Sequence, residues 1–135
     1  MQITVTTTIQ ADAEKVWRLY TSAEAIKAWN AASPDWHTTR AELDLRVGGH
    51  FSSRMEAKDG SMGFDFAGTY TAVEPMHLLA YQFGQRHAEV KFSSNDQETQ
   101  VSICFDAETV YPEEQQRAGW QAILDNFARY VESHE

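Results

Sequence analysis

Leu43-Asp44-Leu45-Arg46-Val47-Gly48-Gly49-His50-Phe51, read with Gly68-Thr69-Tyr70 and Glu74-Pro75 downstream, decides the fold. Ala41, Leu43, Leu45 and Val47 alternate with Glu42, Asp44 and Arg46. Phe51, Ser53 and Met55 alternate with His50, Ser52 and Arg54. Period two predicts two antiparallel strands, and Gly48-Gly49 between them suits a tight hairpin needing positive φ. Asp59-Gly60 marks the next turn, and Phe64, Phe66, Gly68, Tyr70 and Ala72 predict a third strand ending before Pro75. A glycine inside a strand costs stability unless a bulge or a close approach requires it. The pattern therefore predicts a curved sheet able to wrap a ligand. No catalytic motif has this form.

Working outward, Ile3, Val5, Thr7 and Ile9 form a β-branched strand with one buried face. Asp12 is placed to cap a short helix carrying Val16, Trp17 and Tyr20. Thr21-Ser22-Ala23-Glu24 has capping-box spacing, with the Thr21 oxygen accepting from the Glu24 amide. A second helix is expected to run to about Trp29, with Ile26 and Trp29 inward. Ser33-Pro34-Asp35 ends it in a loop that includes Trp36. Further strands are read at Leu79-Tyr81-Phe83, Ala88-Val90-Phe92 and Val101-Ile103-Phe105. Pro112 fits the first turn of a last helix, and Trp120, Ile123, Leu124, Phe127 and Val131 make its apolar stripe. About 22 helical residues would span roughly 33 Å, the width of a small domain. The plan is α+β, an antiparallel sheet with helices on one face.

The 135 residues suit one domain, 1–135, without linkers, internal repeats or low-complexity tracts. A chain of this size buries roughly two-thirds of its unfolded surface. Aromatics make up 12%, enough for a large core, a lined cavity or both. Net charge is −9, from 20 acidic against 11 basic residues. That balance argues against nucleic acid and against an anionic membrane surface, both of which recruit Lys and Arg. No apolar run approaches the ~20 residues that span a bilayer. The single cysteine, Cys104, forbids an internal disulfide and reads as a structural thiol on a strand. With no signal peptide, the expectation is a reducing cytoplasm.

Val16-Trp17, Trp29, the Asp44–Phe51 run with Arg46 and Gly48-Gly49, Gly68-Thr69-Tyr70, Glu74-Pro75 and Gly119-Trp120 occur in a specific order. In that order they resemble the activator of heat-shock protein 90 ATPase homologue family. This family sits within the START-like (birch-pollen-allergen-like) superfamily. The resemblance covers nearly the whole chain. It implies a helix-grip fold: a curved antiparallel sheet of about seven strands around a long C-terminal helix, with two short helices after the first strand. The eukaryotic co-chaperones that name the family carry an additional chaperone-binding domain, for which this chain is too short.

A helix lying over a curved sheet leaves a space, and that space is a cavity if side chains do not fill it. The candidate lining is Trp29, Trp36, Phe51, Met55, Phe64, Phe66, Tyr81, Phe83, Trp120, Leu124 and Phe127. The same residues would serve equally as plain core. The histidines His37, His50, His77, His87 and His134 form no ligand pair, so no metal or other cofactor is expected. Asp44, Arg46 and Arg54 are expected on the face opposite Leu43, Leu45 and Phe51, as cross-strand ion pairs rather than as the polar floor of a cavity. No serine has a nucleophile-elbow setting, and Gly48-Gly49 lacks the lysine and strand-to-helix context of a phosphate loop. Catalytic residues are not assigned. The leading expectation is non-enzymatic binding of a small, largely apolar molecule. A chaperone-associated or other protein-interaction module is the alternative, and a cyclase- or hydratase-type enzyme the third. Exposed strand edges leave surface for a homodimer.

Overall fold

The computed structural model describes residues 1–95 and 97–134. The chain runs β1 (Gln2–Ile9), α1 (Ala13–Tyr20), α2 (Ala23–Trp29), β2 (Trp36–Leu43), β3 (His50–Ala57), β4 (Gly63–Glu74), β5 (Leu78–Phe83), β6 (Arg86–Ser94), β7 (Thr99–Asp106) and α3 (Glu113–Ser133). The strands form one antiparallel sheet in the order β1-β7-β6-β5-β4-β3-β2. β2 to β7 are a meander, and β1 closes the far edge by pairing with β7 from Gln2↔Asp106 to Ile9↔Thr99. This is the α+β plan expected from the pattern, in the helix-grip arrangement that the resemblance implies.

Sheet curvature has identifiable causes. Register shifts interrupt the pairing of β2 with β3 at Thr38/Arg40 and of β4 with β5 at Tyr70/Ala72. At Gly68, opposite Phe51, a Cβ would strike the Gln82 carbonyl and come within 2.8 Å of the Phe51 ring. Glycine lets that ring lie flat against the strand.

Three local expectations are corrected. Gly48-Gly49 is not a two-residue hairpin. β2 stops at Leu43, and Asp44–Gly49 is a loop held by Arg46 N–H to Asp44 O (2.8 Å) and Gly49 N–H to Arg46 O (2.9 Å). Gly48 takes φ 87°. Its N–H donates to Tyr70 O, and Gly49 O accepts from Tyr70 N–H. The glycines therefore extend the pairing with β4 instead of closing β2 on β3, and Leu45 and Val47 leave the strand. Trp36 is not in a loop but opens β2, paired with Ala57. The capping box is displaced by one residue. Ser22 Oγ accepts from Ala25 N–H, and Thr21 Oγ1 instead donates to Trp17 O at 2.8 Å, closing α1. Asp12 caps α1 by accepting from Lys15 N–H.

α3 lies over the inward face of the sheet. Leu124, Phe127, Ala128 and Val131 are buried with Ile3, Val5, Ile9, Val101 and Phe105. Trp29, Phe127 and Tyr20 form an aromatic knot with centroids 4.8–5.1 Å apart, tying both short helices to α3. The Trp29 indole donates to Leu19 O (3.0 Å), and Asn126 donates to Trp29 O (2.7 Å). On the opposite face Arg54 pairs with Glu56 (3.0 Å) and Asp65 (3.7 Å). The Arg46–Asp44 pair lies exposed in the loop. Charges on these strands thus face solvent, and α3 covers the face carrying Phe51, Ser53 and Met55.

Candidate functional site

Between the β3–β5 part of the sheet and α3 lies a cavity of about 450 Å³, within the ~300–1,000 Å³ range of small-molecule sites. Its aromatic wall follows from inward strand rows. Phe51 contacts Tyr81 (5.0 Å), Tyr70 (5.2 Å) and Phe66 (5.7 Å), ring centroid to centroid. Trp29, Ile26 and Tyr20 close one side from α1 and α2, and Trp120 and Ile123 descend from α3. An adjoining hollow shares Met55, Phe64, Trp120 and Ile123 and adds Trp36, Gly119 and Gln116. Phe64 (48% exposed) and Tyr111 (55% exposed) mark its outer rim.

Of the residues expected to line a cavity, Trp29, Phe51, Met55, Phe64, Phe66, Tyr81 and Trp120 do so. Trp36 lies in the adjoining hollow, its ring 5.9 Å from that of Phe64. Phe83, Leu124 and Phe127 do not line it. Phe127 and Leu124 lie on the part of α3 packed onto the core, and the Phe83 ring is covered by Arg86.

Several lining residues escaped the sequence reading. Tyr70, Leu79, Ile103 and Ile123 were recognisable as inward-facing, but nothing distinguished cavity from core. Ser53 sits between Phe51 and Met55 on the inward row. Arg86 continues the Ala88–Val90–Phe92 row by one further step of two, a signal present in the sequence. Glu108 and Tyr111 follow the end of β7 in a loop where no periodicity could place them.

The polar groups are few and fixed. Arg86 Nη1 donates to Asp106 O (3.2 Å), and its guanidinium lies 4.5 Å from the Phe83 ring centroid. Its Nη2 is 3.9 Å from Glu108 Oε2. The buried Gln116 amide grips the loop by accepting from Glu108 N–H (2.9 Å) and donating to Glu108 O (3.1 Å) and Tyr111 O (2.7 Å). Glu108 Oε1 is cut off from solvent and accepts no hydrogen bond among the described residues. Burial raises the Tyr70 phenol to about 12. Burial, then the neighbouring Tyr70, raises Tyr20. Tyr81 is raised well above its ordinary value by burial and by Tyr20 and Tyr70, with Arg86 pulling it back. All three phenols therefore stay protonated near neutral pH and can donate into the cavity.

The histidines stand apart. His50 Nδ1 lies 3.1 Å from Thr69 Oγ1, His87 Nδ1 lies 3.4 Å from Asp106, and His134 stacks on Tyr130. Among the described residues no three His, Cys, Asp or Glu side chains group as a metal site, and no helix is long and apolar enough to cross a membrane.

The family model for Activator of Hsp90 ATPase homolog 1-like protein matches residues 10–132. The chain belongs to this family. Its fold is shared at 46% identity by the AHSA1-like protein of Aeromonas hydrophila, with a TM-score of 0.91 over 100% of this chain and 98% of the other. A protein of Cytophaga hutchinsonii matches at 41% identity and TM-score 0.84, covering 99% and 96%. A Chromobacterium violaceum protein at 22% identity and TM-score 0.85, covering 99% of both chains, extends the likeness of fold alone. No curated protein matches the chain. The cavity therefore sits in the START-like frame of the Activator of Hsp90 ATPase homolog 1-like family, between the gripping sheet and the gripped helix.

Proposed function

We propose that the protein binds a small, largely apolar molecule in the cavity between β3–β5 and α3 and leaves it chemically unchanged. The observation that carries this reading is the 450 Å³ space walled by Trp29, Phe51, Phe66, Tyr81 and Trp120, with few polar groups among them. An apolar body of two or three rings would gain dispersion contacts with this wall. Trp29, Trp36, Phe51, Met55, Phe64, Phe66, Tyr81 and Trp120 are the proposed contact residues. Native mass spectrometry of freshly purified protein tests the reading. A retained mass adduct, lost on mild organic extraction and identifiable in the extract, supports it. A clean apo mass, together with no thermal shift across a panel of apolar compounds, would refute it.

A second reading, association with a protein, is favoured by the exposed Val47, Met62, Phe64, Val110 and Tyr111. The family's name suggests a chaperone as partner. A pull-down that recovers no chaperone, with an unchanged chaperone ATPase rate on adding the protein, would remove it.

A further inference from the structure

Three tyrosines of the cavity wall carry hydroxyls that the fold leaves without partners. Tyr70 and Tyr81 stand directly opposite each other in the β4–β5 register, and Tyr20 reaches the same space from the end of α1. Tyr70 and Tyr81 are each 6% exposed, so more than nine-tenths of each is buried. Burial sets the acidity of all three, with neighbouring charge added for Tyr20 and Tyr81, and no hydrogen bond among the described residues contributes. Their oxygens are nonetheless open to a molecule the size of water. Among the described residues the side-chain polar atom both enclosed and unpartnered is Glu108 Oε1, and no phenol oxygen shares that condition. An oxygen without a partner and not enclosed, on a ring buried in the cavity wall, opens into the cavity. The three lie near one another, since Tyr70 acts electrostatically on Tyr20 and both act on Tyr81. Until a ligand enters, water alone serves these hydroxyls. A ligand that displaces that water without an acceptor of its own loses those bonds. Building on the apolar-ligand reading, we propose that the cavity takes a neutral molecule whose apolar body carries a carbonyl oxygen, held by O–H donated from Tyr70 and Tyr81 with Tyr20 as a third donor.

The lining favours a carbonyl over other polar groups. A ketone, quinone, lactone or ester oxygen has two lone pairs and brings no donor that would need a partner. Donors on two paired strands match those lone pairs. A carboxylate would leave water for a wall of rings. There Arg86, the one cation of the lining among the described residues, already faces Glu108 at 3.9 Å. An ammonium head would bring three more donors to a patch already supplied with donors.

The test is a calorimetric titration with three probes sharing one body: 4-acetylbiphenyl, 4-ethylbiphenyl and 4-hydroxybiphenyl. The ketone is expected to bind about tenfold tighter than the ethyl compound of nearly the same shape, the scale of one or two net hydrogen bonds. The hydroxyl compound, a weaker acceptor, is expected between them. The triple variant Tyr20→Phe, Tyr70→Phe, Tyr81→Phe should bind ketone and ethyl compound equally and keep the wild-type affinity for the latter. The carbonyl stretch of bound 4-acetylbiphenyl should lie at lower frequency in the wild type than in the triple variant. The substitutions remove oxygens without protein partners, so the urea midpoint at neutral pH should not fall. A fall would show that the fold itself partners them and would overturn the proposal. Equal binding of ketone and ethyl compound by the wild type would overturn the donor assignment and leave the apolar cavity standing. So would a ketone preference that survives in the triple variant, or tightest binding by the hydroxyl compound. Binding of none of the three would overturn the cavity reading and this one with it.

Discussion

The half of the sheet made by β1, β7 and β6 is packed against α3 except at Arg86 and Ile103, whereas the half made by β3, β4 and β5 faces a hollow. Both halves obey the same alternation, and both present aliphatic and aromatic residues inward. In the packed half Ile3, Val5, Val90, Val101 and Phe105 meet Phe127 and Val131 of α3, all at 0–2% exposure. In the hollow half Phe51 and Phe66 reach mainly other rings of their own wall. The difference lies in where the helix runs. α3 packs along β1, and the sheet curls away beneath it at β3 and β4. Inward-facing therefore means core on one side of the molecule and ligand wall on the other.

The largest expected contrast is between one deletion in each half. Phe127→Ala should cost about 3–5 kcal/mol in urea unfolding, because the ring is fully enclosed and touches Tyr20 and Trp29. Phe66→Ala should cost about 1 kcal/mol, since its removal enlarges an existing space. Similar losses would break the comparison.

Next in size is the bend. Gly68→Ala should cost about 1–3 kcal/mol, as its Cβ meets the Gln82 carbonyl and the Phe51 ring. The loss should be accompanied by chemical-shift changes at Phe51 and Tyr81, on the hollow side only.

The phenols give a pH signature. Burial holds the Tyr70 phenol at about 12 in the folded chain, above its ordinary value of 10.0. Its stabilising contribution is complete below about pH 10 and is lost as pH rises toward 12, by about 2.7 kcal/mol at most. Denaturant midpoints should therefore fall over that window, and less steeply in Tyr70→Phe.

The smallest stability effect should come from filling the space. Ser53→Phe should change stability by about 1 kcal/mol or less while weakening apolar-probe binding by about tenfold or more. An unchanged affinity would place the ligand elsewhere.

The element order was legible because β-branched alternation and the Trp120–Val131 stripe are strong periodic signals. What failed was local hydrogen-bond competition. Thr21 is bonded back to Trp17, leaving Ser22 to cap α2, and Gly48-Gly49 pairs with Tyr70 on a strand far along the chain. Such choices depend on partners that spacing does not reveal. The cavity wall was half legible. Strand rows pointed to Phe51, Phe66 and Tyr81, yet the same rule named Phe83, Leu124 and Phe127. Core and wall differ only in the path of α3. Arg86 could have been found by extending the β6 row, whereas Glu108 depends on a loop held by Gln116.

The most direct test is isotope-filtered NMR of the protein with bound 4-hydroxybiphenyl, read for contacts between ligand and side-chain protons. Contacts to Trp29, Phe51, Phe66, Tyr81 and Trp120 are expected. Contacts confined to exposed Phe64, Val110 and Tyr111, or none at all, would contradict the proposed site.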